Sequence, residues 1–156
     1  MSRAGIPSVK EPRGLTRTDG KRPDGMTMVP WREGRCATWD VTVTDTVAAS
    51  YVTRTSAKAA SAVEAAALRK EEKYADISKT YLFFPLAFET MGPMNGAGQD
   101  FISQLGHRIS ASTEDPRETS FLFQRISVAL QRFNAVCFAN SFISSHDASS
   151  NQPKHT

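Results

Sequence analysis

Two aspartates stand sixteen positions apart in the segment that runs from Arg22-Pro23-Asp24-Gly25 to Trp39-Asp40-Val41-Thr42-Val43. The second lies where period-two alternation predicts a strand, with Ala37, Trp39, Val41 and Val43 on one face and Thr38, Asp40 and Thr42 on the other. An ionised carboxylate in mid-strand loses water unless a cation, a donor set or open solvent replaces it. One use for it is to hold a hard divalent metal beside a second carboxylate from the preceding turn. Mg²⁺ (or Mn²⁺) suits such a pair, because it takes oxygen ligands and keeps several waters beside one or two carboxylates. Asp24 and Asp40 are the candidate metal ligands, and the Val41 carbonyl could complete the set.

Such an ion would acidify a bound water and offset charge on a phosphodiester. A lysine could then orient the water or stabilise the pentavalent state. Lys70 and Lys73 are the candidates. Lys70 falls on the apolar stripe Ala59, Val63, Ala66, Ala67 of an Ala-rich helix expected over 56–75, where desolvation disfavours an ammonium. The plainer reading is that its stem packs while the charge reaches the rim. Thr42, on the Asp40 face about 6–7 Å along the strand, could touch the water or a phosphate oxygen. Tyr74 could support the lysine or stack near nucleic acid. Lys21 and Arg22 could grip backbone phosphate.

The elements that must position these residues follow in order. Residues 1–21 read as an irregular basic arm, because Pro, Gly, Arg and Ser occur without an apolar period. Gly25 allows a turn or bulge after Asp24. A short strand 26–29, a connection over 31–36 containing Gly34, and the strand 37–43 would bring both carboxylates to one sheet edge. Asp45 can cap a short helix 46–52, and Ser56 the long one. The apolar run Tyr81–Thr90 predicts a central strand, to which Pro85 objects unless it sits at a bulge or an edge. A helix over 97–111 puts Phe101, Ile102, Leu105 and Ile109 on one face. Asp115, Pro116 and Glu118 form a capping-box start for a last helix with Leu122, Ile126, Ala129, Leu130, Phe133 and Cys137 on its core side. Arg125 and Arg132 make a solvated basic stripe. Residues 144–156 read as a disordered tail. The expected class is thus α/β (α+β), a small mixed sheet of three or four strands flanked by helices.

Length and composition set the outer bounds. A chain of 156 residues with 40% hydrophobic content fits one globular domain. The net charge is +3, yet residues 1–35 carry eight Lys/Arg against four Asp/Glu. A basic arm leading into paired carboxylates suits a polyanionic substrate such as DNA. Cys36 and Cys137 have no CxxC spacing, and His107, His146 and His155 form no ligand cluster, which argues against zinc and a disulfide framework. No apolar run reads as a signal peptide or a membrane span, so a soluble protein is expected.

The order Pro-Asp, short strand, turn, strand with a central Asp, then a helix with an inward Lys resembles the PD-(D/E)xK nuclease superfamily. The runs GLTRTDGKRPDGMTMVPW, ATWDVTV, RKEEKY, FFPLAFETMGP and DPRETSFLFQRISVALQRFNAVCF resemble, over roughly residues 5–143, the restriction-like endonuclease segment downstream of reverse transcriptase in non-LTR retrotransposon-type proteins. The family pattern falls on Arg22-Pro23-Asp24, on Asp40, and on Lys70-Glu71-Glu72-Lys73-Tyr74. The resemblance implies a nuclease-like core over 22–143 and a Mg²⁺-dependent nicking activity on DNA. It implies partners in a reverse transcriptase on the same polypeptide and its RNA, and action inside the cell, at the nucleus. Thr42 stands where the superfamily motif has Lys, so the lysine role passes to Lys70 or Lys73. The upstream nuclease helix of the family has no counterpart in this sequence, so a core incomplete at the N-terminus is expected. The alternative is a non-catalytic remnant of a reverse-transcriptase polyprotein that binds nucleic acid or simply folds.

Overall fold

The computed structural model describes residues 2–15, 20, 22–44, 56–90 and 93–149, with side chains left undescribed at 2, 56–59 and 138–149. Among these residues four strands form one mixed sheet in the order β1 (Ser8–Lys10), β2 (Gly25–Thr27), β3 (Ala37–Thr44) and β4 (Leu82–Glu89). The first three make an antiparallel meander, and β4 runs parallel to β3. Three α-helices lie among the described residues: α1 (Ser56–Lys73) between β3 and β4, then α2 (Gly96–Thr113) and α3 (Glu118–Ser149).

The β3 alternation divides the molecule as the sequence predicts. Trp39 turns toward Phe101 of α2, with ring centroids 6.1 Å apart, whereas Asp40 turns toward α1. On β4, Leu82, Phe84, Leu86 and Phe88 join the larger core with Ile6, Trp31, Ala37, Phe101, Ile102, Leu105 and Ile109. Ala87 faces the other way, into a smaller cluster with Val63, Ala66 and Ala67 of α1. One face of the sheet is therefore aromatic and thick, and the other is thin and carries the polar site.

Several expectations are corrected. The stretch expected as an irregular arm holds β1, and Ile6 within it is buried. Three exposed residues, Ser8-Val9-Lys10, leave no apolar period to detect, so pairing rather than propensity forms this strand. Gly25 serves neither turn nor bulge. It pairs with Trp39 inside the sheet, and a Cβ there would overlap the Trp39 indole.

The run Tyr81–Thr90 is not central, because β4 is the edge strand. Its two faces are apolar because helices cover both. Pro85, the objection in sequence, sits where no neighbouring strand needs its N–H. The outer side is met by the segment after it. Asn95 Oδ1 accepts from Ala87 N (2.9 Å), Asn95 Nδ2 donates to the Pro85 carbonyl (3.1 Å), and Glu89 N donates to the Pro93 carbonyl.

Helix α3 starts at Glu118 without a capping box. Asp115 Oδ1 accepts from Arg117 N (2.9 Å), while Glu118 turns to Arg125 and Arg3. Its first turns pack. Leu122, Phe123 and Ile126 meet the core, Ala129 and Cys137 are exposed, and Phe133 and Val136 are 51% and 59% exposed. The expected tail from 144 is helical through Ser149. The expected short helix 46–52 with its Asp45 cap, and residues 150–156, lie outside the described residues. Ser56 is the first residue of α1. No helix among the described residues is long and apolar enough to cross a membrane.

Candidate active site

The sheet register brings the two aspartates together. Gly25 pairs with Trp39 in the antiparallel β2–β3 ladder, so one step further Asp24 stands opposite Asp40. The side chain of Asp24 extends that ladder, its Oδ2 accepting from Val41 N at 2.6 Å. Residues directly opposite in such a pair have Cβ atoms about 4.5–5.5 Å apart, and like charges there repel. A cation between them is the natural remedy.

Lys70 supplies one. Its Nζ lies 2.5 Å from Asp40 Oδ2, with side chains 23% and 6% exposed respectively. Oδ2 accepts no well-directed hydrogen bond among the described residues, so this contact is a pairing of charges. The other oxygen, Oδ1, lies 3.1 Å from the Tyr74 hydroxyl. That hydroxyl also lies 2.9 Å from the Arg22 carbonyl oxygen. Its one proton is shared between the two acceptors. Tyr74 is only 1% exposed, and its ring lies 4.9 Å from Phe83. One phenol thus ties the end of α1 to the loop before β2 and to the centre of β3.

The structure brings Arg22, Asp24, Asp40, Lys70 and Tyr74 together. Lys73 stays outside, its ammonium 4.8 Å above the Tyr74 ring. Thr42 follows Asp40 on the α1-facing row and is half-buried. Arg22 contributes its carbonyl, and its side chain is exposed. Lys21 lies outside the described residues.

Sequence reasoning missed Glu11. Its N–H donates to the Asp24 carbonyl at 3.0 Å, one step beyond the Lys10–Gly25 pair, and its backbone is left-handed (φ 45°). No signal short of the β1–β2 register could have found it. Even so, among the described residues no group of three or more His, Cys, Asp or Glu is placed to hold a metal.

The candidate donor set is all oxygen, the carboxylates of Asp24 and Asp40, with neither thiol nor imidazole. That chemistry fits a hard divalent ion which keeps most of its waters. A groove of about 950 Å³ lies elsewhere, along α3, between Arg3, Glu118, Arg125 and Arg132. Glu118 already pairs with Arg3 and Arg125 there.

Compared with known protein families, curated proteins and solved structures, the chain matches none.

Proposed function

We propose that this chain is a metal-dependent DNA endonuclease domain of the PD-(D/E)xK, restriction-like type, related to the nicking segments of non-LTR retrotransposon-type proteins. The observation that carries the reading is the pairing of Lys70 of α1 with Asp40 of β3, opposite Asp24, the residue that precedes β2. The sequence of β2, β3 and then α1, with Lys70 turned to Asp40, supports it.

Asp24 and Asp40 would hold Mg²⁺ or Mn²⁺. When bound, the ion acidifies a water and offsets phosphodiester charge. Val41 N–H orients the Asp24 carboxylate, and Tyr74 orients that of Asp40. Lys70 places a positive charge beside the reacting phosphate, where it orients the attacking water or stabilises the pentavalent state. Thr42 offers a hydroxyl on the same row. Lys21 and the exposed Arg22 neutralise backbone phosphate. In the related proteins the partners are a reverse transcriptase on the same polypeptide and its RNA, and the work is done at nuclear DNA.

The test is nicking of supercoiled plasmid with Mg²⁺ or Mn²⁺. The wild type nicks and Asp40→Asn does not, and equal nicking by both rejects the assignment. A second reading is favoured by one observation: both oxygens of Asp40 have partners within the chain, so the pocket is stable without an ion. A non-catalytic nucleic-acid-binding remnant would show salt-sensitive DNA binding and no metal-dependent cleavage.

A further inference from the structure

We infer that Lys70 is a built-in stand-in for the metal: its ammonium occupies the coordination position on Asp40 Oδ2, and a divalent ion must displace it to bind. The inference rests on the metal reading of Asp24 and Asp40 and goes beyond it, because it assigns Lys70 a role before any chemistry.

Asp40 Oδ1 faces the Tyr74 hydroxyl, and Tyr74 is locked, 1% exposed and also bonded to the Arg22 carbonyl. Asp40 Oδ2 faces the Lys70 ammonium, at 2.5 Å, and accepts no well-directed hydrogen bond among the described residues. An incoming ion must take one of these oxygens. Moving Tyr74 would break the tie between α1, β3 and the loop before β2. Lys70 sits in the last turn of α1, and its side chain is 23% exposed, so its four-carbon stem can swing toward solvent. Oδ2 is therefore the oxygen the ion takes. Asp40, buried and opposite Asp24 in the ladder, is stabilised by a positive charge in either state, and Lys70 supplies it until the ion arrives. The displaced ammonium then lies at the rim. Loading the metal and freeing the lysine become one event.

The experiment is Mn²⁺ binding, followed by the loss of the free-ion paramagnetic resonance signal, for wild type, Lys70→Met, Lys70→Gln and Asp40→Asn. When an ion binds only the open fraction of a site, its apparent affinity falls by that fraction, so a site closed nine-tenths of the time binds about tenfold more weakly. Lys70→Met and Lys70→Gln are thus expected to bind Mn²⁺ at least about tenfold more tightly than wild type. Asp40→Asn is expected to lose binding. If Asp40→Asn binds Mn²⁺ as wild type does, the metal reading itself fails, and the inference with it. If Asp40→Asn loses binding while the folded Lys70 variants bind no more tightly than wild type, the metal reading stands and the displacement is overturned. Should both Lys70 variants fail to fold, the wild type decides the matter. Its Lys70 ε-methylene resonance moves as Mg²⁺ saturates the site, and an unmoved resonance at saturation overturns the inference.

Discussion

Asp40 shows how far single residues could be read. Its place in a strand, its face and its link with Asp24 follow from alternation and spacing. The choice of Lys70 over Lys73 does not, because both lie near the same helical stripe, and only the docking angle of α1 brings one ammonium to the carboxylate. In sequence Tyr74 reads as a support for the lysine or a stacking group near nucleic acid; in the fold it grips Asp40 and the Arg22 carbonyl, the latter across 52 residues of sequence. Removing one member of a buried ion pair costs about 3–5 kcal/mol, because the other charge is left uncompensated. Lys70 is partly solvated, so Asp40→Asn is expected to cost about 1–3 kcal/mol after screening. The double variant Asp40→Asn/Lys70→Met should recover part of that loss. Urea midpoints of the two singles and the double measure it, and additive losses would show that the pair is not coupled.

A second prediction at this scale concerns pH. The Arg117 guanidinium, with help from the Arg117 backbone N–H, holds the Asp115 carboxyl below the usual aspartate range. The sign follows from the lowered value. The pairing stabilises the fold above the unfolded aspartate value of about 3.9 and loses that contribution as pH falls through the lower folded value. The Arg117 partner is exposed and solvent screens the pair, so the effect on stability is slight. Carbon-13 titration of the Asp115 carboxyl should show the low value, and Arg117→Ala should move it back toward the ordinary range. An unchanged titration in that variant would assign the shift to something other than the side chain.

At the scale of elements, the strands and helices with clear periods were legible, and those made by pairing were not. Helix α2 buries the four residues its spacing puts on one face. Strand β1 has no such pattern. Strand β4 misleads in the opposite way, since an apolar run reports that both faces are covered and says nothing of its neighbours in the sheet. Asn95 resolves that ambiguity in space. Fully buried, it accepts from Ala87 N and donates to the Pro85 carbonyl, doing for the edge what a fifth strand would do. Asn95→Ala would leave two buried backbone groups unmet, at about 1–3 kcal/mol each before any water enters. A lowered thermal midpoint, with faster amide exchange at Ala87, is expected. Exchange at Ala87 no faster than in the wild type would mean that the Asn95 carboxamide does not protect the edge.

For the molecule as a whole, the decisive property is that the two faces of the sheet carry different loads. The α2 face holds the aromatic cluster, with Phe101 only 1% exposed and its ring centroid 4.4 Å from Phe84, 5.0 Å from Trp31 and 6.1 Å from Trp39. The α1 face holds a small cluster of Val63, Ala66, Ala67 and Ala87 beside the polar site. Hydropathy could not show this asymmetry, since α1 and α2 both look amphipathic in sequence. Alanine is most of what α1 offers, and alanine lets the helix sit close to the sheet, which is what puts Lys70 within reach of Asp40. Stability should therefore come mainly from the face away from the site. Phe101→Ala is expected to cost about 3–5 kcal/mol, the range for a buried aromatic. Val63→Ala deletes less volume against a smaller cluster and is expected to cost about 1–3 kcal/mol. Denaturant midpoints of the two variants test the ordering, and equal losses would contradict it. Val63→Ala has a further consequence that Phe101→Ala lacks. Loosening α1 against β4 leaves the large core intact but lets Lys70 drift from Asp40. Mn²⁺ affinity should then rise in Val63→Ala while it falls or stays level in Phe101→Ala, so a change in stability and a change at the site can be told apart in one pair of variants.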